Sequence, residues 1–184
     1  MWSAIATVVV VLVLMLVVIG VVFFVGMRRG SPLVRDTVRR FNRAVGNPYQ
    51  MKTAGTPGAY ASVIRHVGRT TGRRYVTPMV PFPTDDGFVI ALPYGPDTDW
   101  VKNVMASGSA TIVHDGNAFR VDRPELVHAS AAAPYLPVKE QRSLRRFAVD
   151  QCLLVRRAVP QEDASDSEEG EHQLVARPGE RPLR

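Results

Sequence analysis

Cysteine and histidine are scarce in this chain of 184 residues. The single cysteine, Cys152, excludes an internal disulfide and lies in the apolar run CLLV, so we predict a buried core residue in a reducing compartment. The histidines, which are His66, His114, His128 and His172, lack the paired spacing of zinc sites and metalloproteases. We therefore predict no metal site.

The short motifs of several common enzyme classes are also missing. The sequence contains no GxSxG nucleophile elbow, no P-loop and no GxGxxG that follows a strand, and it has no internal repeats. A bound cofactor is therefore the expected source of any reactivity.

Charge is absent from residues 4–27, where Thr7 alone carries a hydrogen-bonding side chain. A helix over this stretch is about 36 Å long, which is enough to cross a hydrocarbon core of about 30 Å. A secretory signal peptide is the rival interpretation, but it needs a basic start, a shorter apolar stretch and a small-residue cleavage site. We predict a single-pass transmembrane anchor over residues 1–30.

Basic residues dominate the flank after this stretch, and Asp36 alone opposes the arginines Arg28, Arg29, Arg35, Arg39, Arg40 and Arg43. Cationic flanks stay cytoplasmic, so we expect a protein of the cell membrane with its carboxyl-terminal domain in the cytoplasm. The formal charge is −4 from Pro160 onward and +10 before it. Such a basic segment favours an anionic partner, for which lipid head groups, an anionic cofactor and nucleic acid are the candidates.

Residues 31–58 are predicted to form a basic amphipathic helix and a linker. Ser31 and Pro32 are typical of a helix start, and Gly46-Asn47-Pro48 of a stop. The apolar stripe, which consists of Val34, Val38, Phe41 and Val45, fits a helix that lies on the anionic inner leaflet. It fits equally well a helix that packs on the domain.

Residues 59–159 read as a single mainly β (α+β) domain, and the acidic tail 160–184 as disordered. We predict strands near 60–67, 74–82, 87–93, 109–114, 118–127 and 151–158. A helix capped by Asp97 or Thr98 and ended by Gly108 interrupts them, with Trp100, Val101, Val104 and Met105 facing inward, and a second helix follows Pro137. This order favours a closed or half-open antiparallel β-barrel.

Two stretches are candidates for binding. The first, residues 66–79, contains a glycine-bracketed turn with two threonines and, in and after it, three arginines. This pattern suits an anion cradle, although a solvated hairpin turn has the same pattern. The second, residues 92–108, leads from a Pro/Gly turn into a capped helix whose N–H groups can face a ligand. Trp100 at helical spacing with Val104 also fits a core position.

In combination, Gly68-Arg69, Thr71-Gly72 and Thr77-Pro78, then Pro93-Tyr94-Gly95, then Asp99-Trp100 with Asn103 resemble the deazaflavin-dependent nitroreductase family. The resemblance covers roughly residues 62–127. It implies a split β-barrel of the FMN-binding-like type that binds coenzyme F-420. It also implies a reductase that passes a hydride to an electron-poor acceptor, a quinone or a nitroaromatic.

The same resemblance implies which residues contact the cofactor. Near the phosphate it places Arg69, Thr70 and Thr71; many relatives have lysine where this chain has Thr70, so Arg73, Arg74 or Lys102 would supply that charge. Under the ring it places Tyr75, Val76, Thr77, Pro78, Met79 and Val80. On the opposite wall it places Leu92, Pro93, Tyr94, Gly95, Asp99, Trp100, Val101, Lys102 and Asn103.

The catalytic chemistry expected here is hydride transfer followed by protonation of the acceptor, for which Tyr94, Tyr75 and solvent are the candidate donors. Tyr135 is a further candidate pocket residue. We expect membrane lipid and a quinone-like acceptor as partners, no nucleic acid, and we leave a homodimer open. An FMN-dependent oxidoreductase and a non-catalytic, membrane-tethered protein that binds deazaflavin or lipid are the alternatives.

Overall fold

The computed structural model describes residues 2–158, so the tail predicted over residues 160–184 lies outside the described part. The helices are α1 (Trp2–Arg28), α2 (Pro32–Phe41), α3 (Asn47–Gln50), α4 (Asp99–Ser107), α5 (Ala129–Ala132) and α6 (Val138–Arg146). The strands are β1 (Ser62–Val67), β2 (Arg74–Met79), β3 (Pro81–Pro83), β4 (Gly87–Ala91), β5 (Ser109–His114), β6 (Asn117–His128) and β7 (Gln151–Arg157).

Helix α1 is long and apolar enough to cross a membrane, since its 27 residues extend about 40 Å. Its carboxyl-terminal end packs on the folded part of the chain. Met27 is buried, the ring of Phe24 meets that of Phe147 edge-on at 5.9 Å, and Arg28 donates a hydrogen bond to the carbonyl of Arg146. The end of this apolar helix therefore has a defined place against α6.

The helix after Ser31 runs further than we predicted. It passes from α2 into a π-helical turn, Asn42–Gly46, and directly on into α3, so the predicted stop at Gly46-Asn47-Pro48 is wrong. Pro48 lies in the first turn of α3, where a backbone N–H is not required, so the proline does not end the helix. Val34 and Val38 of the apolar stripe are partly covered, whereas Phe41 and Val45 are exposed.

All seven strands form one antiparallel sheet in the order β2-β1-β5-β6-β7-β4-β3. The two edge strands, β2 and β3, are consecutive in the chain and are separated by Val80 alone. A single residue joins the opposite edges only if the sheet curls round on itself. This curled half-barrel with its added helices confirms the prediction of a mainly β fold of the split-barrel type.

Two strand predictions need correction in detail. The strand predicted over 74–82 is two strands, because Val80 is the point where the chain passes from one sheet edge to the other. The strand predicted over 118–127 spans Asn117–His128 and carries a bulge between Asp122 and Glu125, where Arg123 has a φ of 49°. Extra residues at such a bulge bend a long strand, which suits a curled sheet.

Strands β4 and β7 are buried on both of their faces, and their successive residues point to opposite sides of the sheet. Phe88 and Ile90 pack with Val101 and Val104 of α4 inside the curl. The intervening Val89 belongs to a second cluster outside the curl, whose other buried members are Ala132, Leu136, Leu144, Val149 and Cys152. The predicted burial of Cys152 is confirmed, and burial raises the pKa of its thiol to about 11.

Helix α4 agrees closely with its prediction. Thr98 is the N-cap and Gly108, with a φ of 69°, is the left-handed C-cap. Val101 and Val104 are buried as predicted, but Met105 is exposed because it lies on the outer side of the helix. The predicted helix after Pro137 is α6, while the short helix α5 was not predicted.

Candidate functional site: two adjoining cavities

Two cavities adjoin between the sheet and the helices α2 and α4. The polar cavity has a volume of about 560 Å³ and the apolar cavity one of about 420 Å³. Six residues line both cavities and form their shared wall, namely Asn42, Asn47, Pro78, Tyr94, Thr98 and Trp100. A ligand at this wall would reach both spaces.

One side of the polar cavity is the turn between β1 and β2, residues 68–73, which we call the arginine loop. Gly68 donates a hydrogen bond to the carbonyl of Arg73 and accepts one at its own carbonyl from Gly72, both at 2.8 Å. Gly72 has a φ of 64°, a conformation that glycine adopts without strain. The loop is therefore closed by backbone hydrogen bonds, and Arg69, Thr70 and Thr71 line the cavity.

Helix α4 fixes Arg69 at the rim of this cavity. Asn103 Oδ1 accepts hydrogen bonds from the backbone N–H of Arg69 at 3.1 Å and from its Nη1 at 2.9 Å. Asp99 pairs with Arg69 at 3.3 Å and with Arg43 at 3.4 Å. Burial alone raises the pKa of Asp99, but the hydrogen bonds and charges of Arg69 and Arg43 outweigh it and lower that pKa.

The basic helix α2, the π-helical turn and the start of α3 form the opposite side of the polar cavity. Arg39, Asn42, Arg43 and Asn47 line it, and none of them was among the predicted site residues. Thus Arg39 and Arg43 bring positive charge where Arg73, Arg74 or Lys102 was expected to do so. Lys102 instead pairs with Asp97 at 3.0 Å. Arginines on two facing elements, here the arginine loop and α2 with the π-helical turn, favour the binding of a ligand that carries several negative charges.

A buried histidine lies behind the arginine loop. His66 Nδ1 is 3.2 Å from Asn103 Nδ2, and His66 Nε2 is 3.2 Å from Thr77 Oγ1. The ring of Tyr75 stacks on the imidazole with centroids 5.8 Å apart. Desolvation by burial lowers the pKa of His66 below 6.5, so the imidazole is neutral at pH 7.

Tyr94 lies in the shared wall and is held by a residue from far away in the sequence. Asn42 Nδ2 donates a hydrogen bond to the Tyr94 hydroxyl, so the phenol oxygen accepts and its proton is free to face a ligand. Burial raises the pKa of Tyr94 above 10.0, although the hydrogen bond from Asn42 acts in the opposite direction. Tyr94 is therefore a neutral donor at physiological pH.

Thr98, which also lies in the shared wall, has a polar atom that the fold leaves unsatisfied. Its side chain is 5% exposed, and its Oγ1 has no hydrogen-bond partner within residues 2–158. It caps α4, whose first-turn N–H groups carry the positive end of the helix dipole. Since buried hydroxyls are normally paired, this site fits a bound molecule with a polar, electron-rich edge.

The apolar cavity lies beside the end of the apolar helix. Phe23 and Met27 of α1, Val38 of α2 and Phe147 after α6 line it. Further lining comes from the barrel strands and the turn after β4, through Pro78, Met79, Val80, Phe82, Ile90, Ala91, Leu92, Pro93 and Gly95. This cavity suits an apolar ring or chain.

Most predicted cofactor residues meet at these cavities, and a few do not. The polar cavity is lined by Arg69, Thr70, Thr71, Tyr75, Val76, Thr77, Pro78, Tyr94, Asp99, Trp100 and Asn103, and the apolar cavity by Met79, Val80, Leu92, Pro93 and Gly95. Val101 lines neither because it faces the core, and Arg73 and Lys102 line neither because they point to solvent. Tyr135 also lies away from both.

No protein-family model and no curated protein matches this chain. Among solved structures, similar chains include one described as a domain-swapped dimer, with 12% identity and a TM-score of 0.44 over 66% of this chain and 98% of that chain. An F-420 reductase has 14% identity and a TM-score of 0.41, over 59% and 92%.

A third similar structure is a protein from Clostridium acetobutylicum related to general stress protein 26 of B. subtilis, of the pyridoxinephosphate oxidase family. It has 12% identity and a TM-score of 0.40, over 60% of this chain and 80% of that chain. These similarities are too distant to assign this chain to a family, so a function has to be inferred from the residues of its own cavities.

Proposed function

We propose that this protein is a membrane-anchored, deazaflavin-dependent reductase that passes a hydride from reduced coenzyme F-420 to a quinone or nitroaromatic acceptor. The observation that carries the proposal is the shared wall between a polar, arginine-flanked cavity and an apolar cavity beside the end of α1. An anionic cofactor and an apolar acceptor can meet at such a wall.

The residues around the polar cavity fit a phosphate-bearing cofactor with a polar ring. Arg69, Thr70 and Thr71, with Arg39 and Arg43 opposite, would hold its anionic groups. Tyr75, Val76, Thr77 and Pro78 would lie along the ring. Thr98 Oγ1 would gain a partner at the ring edge or at the acceptor. The bound deazaflavin would supply the hydride.

The protein's own part in the reaction is placement and protonation. Trp100 and Tyr94 line both cavities, so they can restrict the space between a ring and an acceptor and exclude water there. Tyr94, neutral and with its proton free, is the donor that we prefer for the reduced acceptor. Tyr75 lines only the polar cavity, which makes it the weaker candidate.

The acceptor that we propose is a quinone dissolved in the membrane, because Phe23 and Met27 of α1 line the apolar cavity. We further propose that residues 1–30 anchor the chain with residues 31–158 on the cytoplasmic side, where the exposed Arg28, Arg29 and Arg40 meet anionic lipid. A quinone ring could then enter from the bilayer while its chain remains in lipid.

Two alternatives remain open to experiment. The first is an FMN-dependent oxidoreductase, since FMN also has a phosphate and a three-ring system and would fit the same cavities. The second is a binding protein that only sequesters deazaflavin or lipid and needs no acceptor. Titration of the full-length chain in nanodiscs with oxidised F-420 and with FMN separates the two cofactors. Turnover with reduced F-420 and a menaquinone analogue then separates enzyme from binding protein.

We expect F-420 to bind more tightly than FMN. We expect Arg69→Ala to weaken F-420 binding at least tenfold, because three hydrogen bonds to Asn103 and Asp99 orient the guanidinium that would hold the anion. Lys102→Ala is the matched control, since Lys102 pairs with Asp97 away from the cavities. Equal affinity in wild type and Arg69→Ala would refute the site, and binding without oxidation of reduced F-420 by any acceptor would refute the enzyme.

A further inference from the structure

His66 connects two walls of the polar cavity from a buried position that the proposed reaction does not use. It is 5% exposed, and its two ring nitrogens face Asn103 on α4 and Thr77 on β2. We propose that His66 is a positioning residue which, while neutral, holds Asn103 and Arg69 in the anion-binding arrangement and releases them when it is protonated. This inference rests on the proposed function of the polar cavity.

The hydrogen bonds assign the tautomer of His66. Asn103 Oδ1 accepts from the backbone N–H of Arg69 and from its Nη1, so the amide oxygen faces the arginine loop. The Asn103 amide nitrogen then faces His66 and donates to Nδ1, which must be unprotonated. The single proton of the neutral ring is therefore on Nε2 and is donated to Thr77 Oγ1.

This chain of hydrogen bonds aligns two ligand-facing groups. Thr77 Oγ1 accepts from His66, which leaves its own proton free to donate into the polar cavity that Thr77 lines. Arg69 is oriented at its backbone and its guanidinium by the same amide oxygen. One imidazole thus sets the direction of two donors to an anion.

Protonation of His66 at Nδ1 would place two donors against each other, because Asn103 already points its N–H₂ group at that atom. The amide would have to turn its oxygen to the imidazolium, and Arg69 would then lose both hydrogen bonds to Asn103. The titratable and charged groups that face His66 are Tyr75, which stacks on it, and Arg69 with Asp99 beyond Asn103. Within residues 2–158, no carboxylate hydrogen-bonds to the imidazole to compensate its charge.

The direction of the pH effect follows from the protonation state of His66 that binds the anion. Anion binding needs neutral His66, so affinity is full above its pKa and falls as the pH drops through it. One linked proton gives a decrease of at most about tenfold per pH unit below that pKa. Since burial lowers the pKa of His66 below 6.5, the loss should begin only at a pH below 6.5.

The first experiment measures the ionisation of His66 without any ligand. NMR titration of imidazole-labelled, full-length protein in nanodiscs should give His66 a pKa below 6.5 and a proton on Nε2 in its neutral form. Asn103→Asp should raise that pKa above 6.5, because a carboxylate can accept from a protonated Nδ1 while still accepting from Arg69. A neutral ring with its proton on Nδ1 in the wild type would overturn the proposal, because Nδ1 could not then accept from Asn103.

The second experiment measures affinity for oxidised F-420 between pH 5 and 8 in the wild type, His66→Asn and Asn103→Asp. The wild type should lose affinity as the pH falls, and both variants should lose that pH dependence. His114→Asn is the matched control, because His114 hydrogen-bonds to Ser62 at 2.7 Å outside the cavities and should keep the wild-type profile. Dividing each profile by that of His66→Asn removes the ionisation of the ligand itself.

The two proposals fail in different ways. Absence of F-420 binding at every pH would refute the proposed function, although the NMR titration would still report the state of His66. Binding with the same pH profile in the wild type and His66→Asn would refute the role of His66 and leave the reductase proposal intact.

Discussion

Thr98 offers the sharpest test at the scale of single residues, because its buried hydroxyl lacks a partner within the described part of the chain. Thr98→Val keeps the shape and removes the polar atom. We expect affinity for oxidised F-420 to fall about fivefold, the value of one hydrogen bond of about 1 kcal/mol. Stability in urea should be unchanged or slightly increased, because the hydroxyl makes no capping hydrogen bond.

The control for this variant is Thr84→Val, which changes a threonine that hydrogen-bonds to Asp86 in the turn before β4 and lines neither cavity. It should leave F-420 affinity unchanged. An unaltered affinity in Thr98→Val as well would mean that no ligand group meets this hydroxyl.

Tyr94→Phe removes the proposed proton donor and the atom that Asn42 holds. We expect turnover with a menaquinone analogue to fall about 100-fold, within the usual range for a general acid, and F-420 affinity to change less than about threefold. Tyr135→Phe, on a half-exposed tyrosine away from both cavities, is the matched control. Stopped-flow oxidation of reduced F-420 measures the step.

The pH dependence of this step has a defined sign. The donor form of Tyr94 is the protonated phenol, so its contribution is present at low pH and is lost as the pH rises through its pKa. Because burial raises that pKa above 10.0, wild-type turnover should show no loss from this group up to about pH 9. A decline centred near pH 8 that is absent in Tyr94→Phe would contradict this assignment.

Those parts of the site whose residues are close in the sequence were predictable. The arginine loop and the start of α4 follow from local turn and capping patterns. Asn42 was not predictable, because its pairing with Tyr94 joins residues 52 positions apart. The helix-capping role of Thr98 follows from its residue type, but its orientation toward a cavity depends on tertiary packing.

At the scale of elements, the contact between α1 and α2 controls one side of the polar cavity. A Cβ on Gly26 would lie 3.0 Å from Val34 Cβ and closer still to a Val34 methyl group. Valine is stiff at χ1 and cannot move aside easily, so Gly26→Ala should displace α2. We expect F-420 affinity to fall several-fold as Arg39 and Arg43 move, which a fluorescence titration would measure.

Gly20→Ala is the matched control, because nothing lies within 4 Å of a Cβ at that position of the same helix. It should leave F-420 affinity unchanged. The double variant Gly26→Ala/Val34→Ala removes the overlapping methyl groups and should recover most of the loss. Without that recovery, the effect of Gly26→Ala would have a cause other than the α1–α2 contact.

The sequence predicted the types of most elements but not how they join. Alternating apolar residues and turn signals indicated the strands, yet nothing local marks Val80 as the residue that joins the two sheet edges. Similarly, Gly46-Asn47-Pro48 is a stop signal by propensity, yet the helix continues through it by a π-helical turn, in which the N–H of Asn47 donates to the carbonyl of Asn42. Local propensity therefore does not decide either point.

At the scale of the whole molecule, the proposed function depends on the position of the apolar cavity beside the end of α1, where Phe23 and Met27 line it. If α1 spans a bilayer, the apolar cavity opens near the lipid boundary. A quinone acceptor would then reach the cavity from the same membrane. The relevant concentration is then its mole fraction in the lipid and not its amount per volume of solution.

This gives a prediction for the full-length chain in proteoliposomes that contain a long-chain menaquinone. Lipid added before the vesicles form lowers the mole fraction of quinone and should lower the rate of F-420 oxidation in proportion while the quinone is subsaturating. Empty vesicles added afterwards should have no effect, because neither the anchored protein nor the long-chain quinone exchanges between membranes. A water-soluble nitroaromatic provides the control, since its rate should respond to neither treatment. If the quinone rate followed bulk concentration instead, the acceptor would reach the site from water, and the placement of Phe23 and Met27 at the apolar cavity would have no role in its delivery.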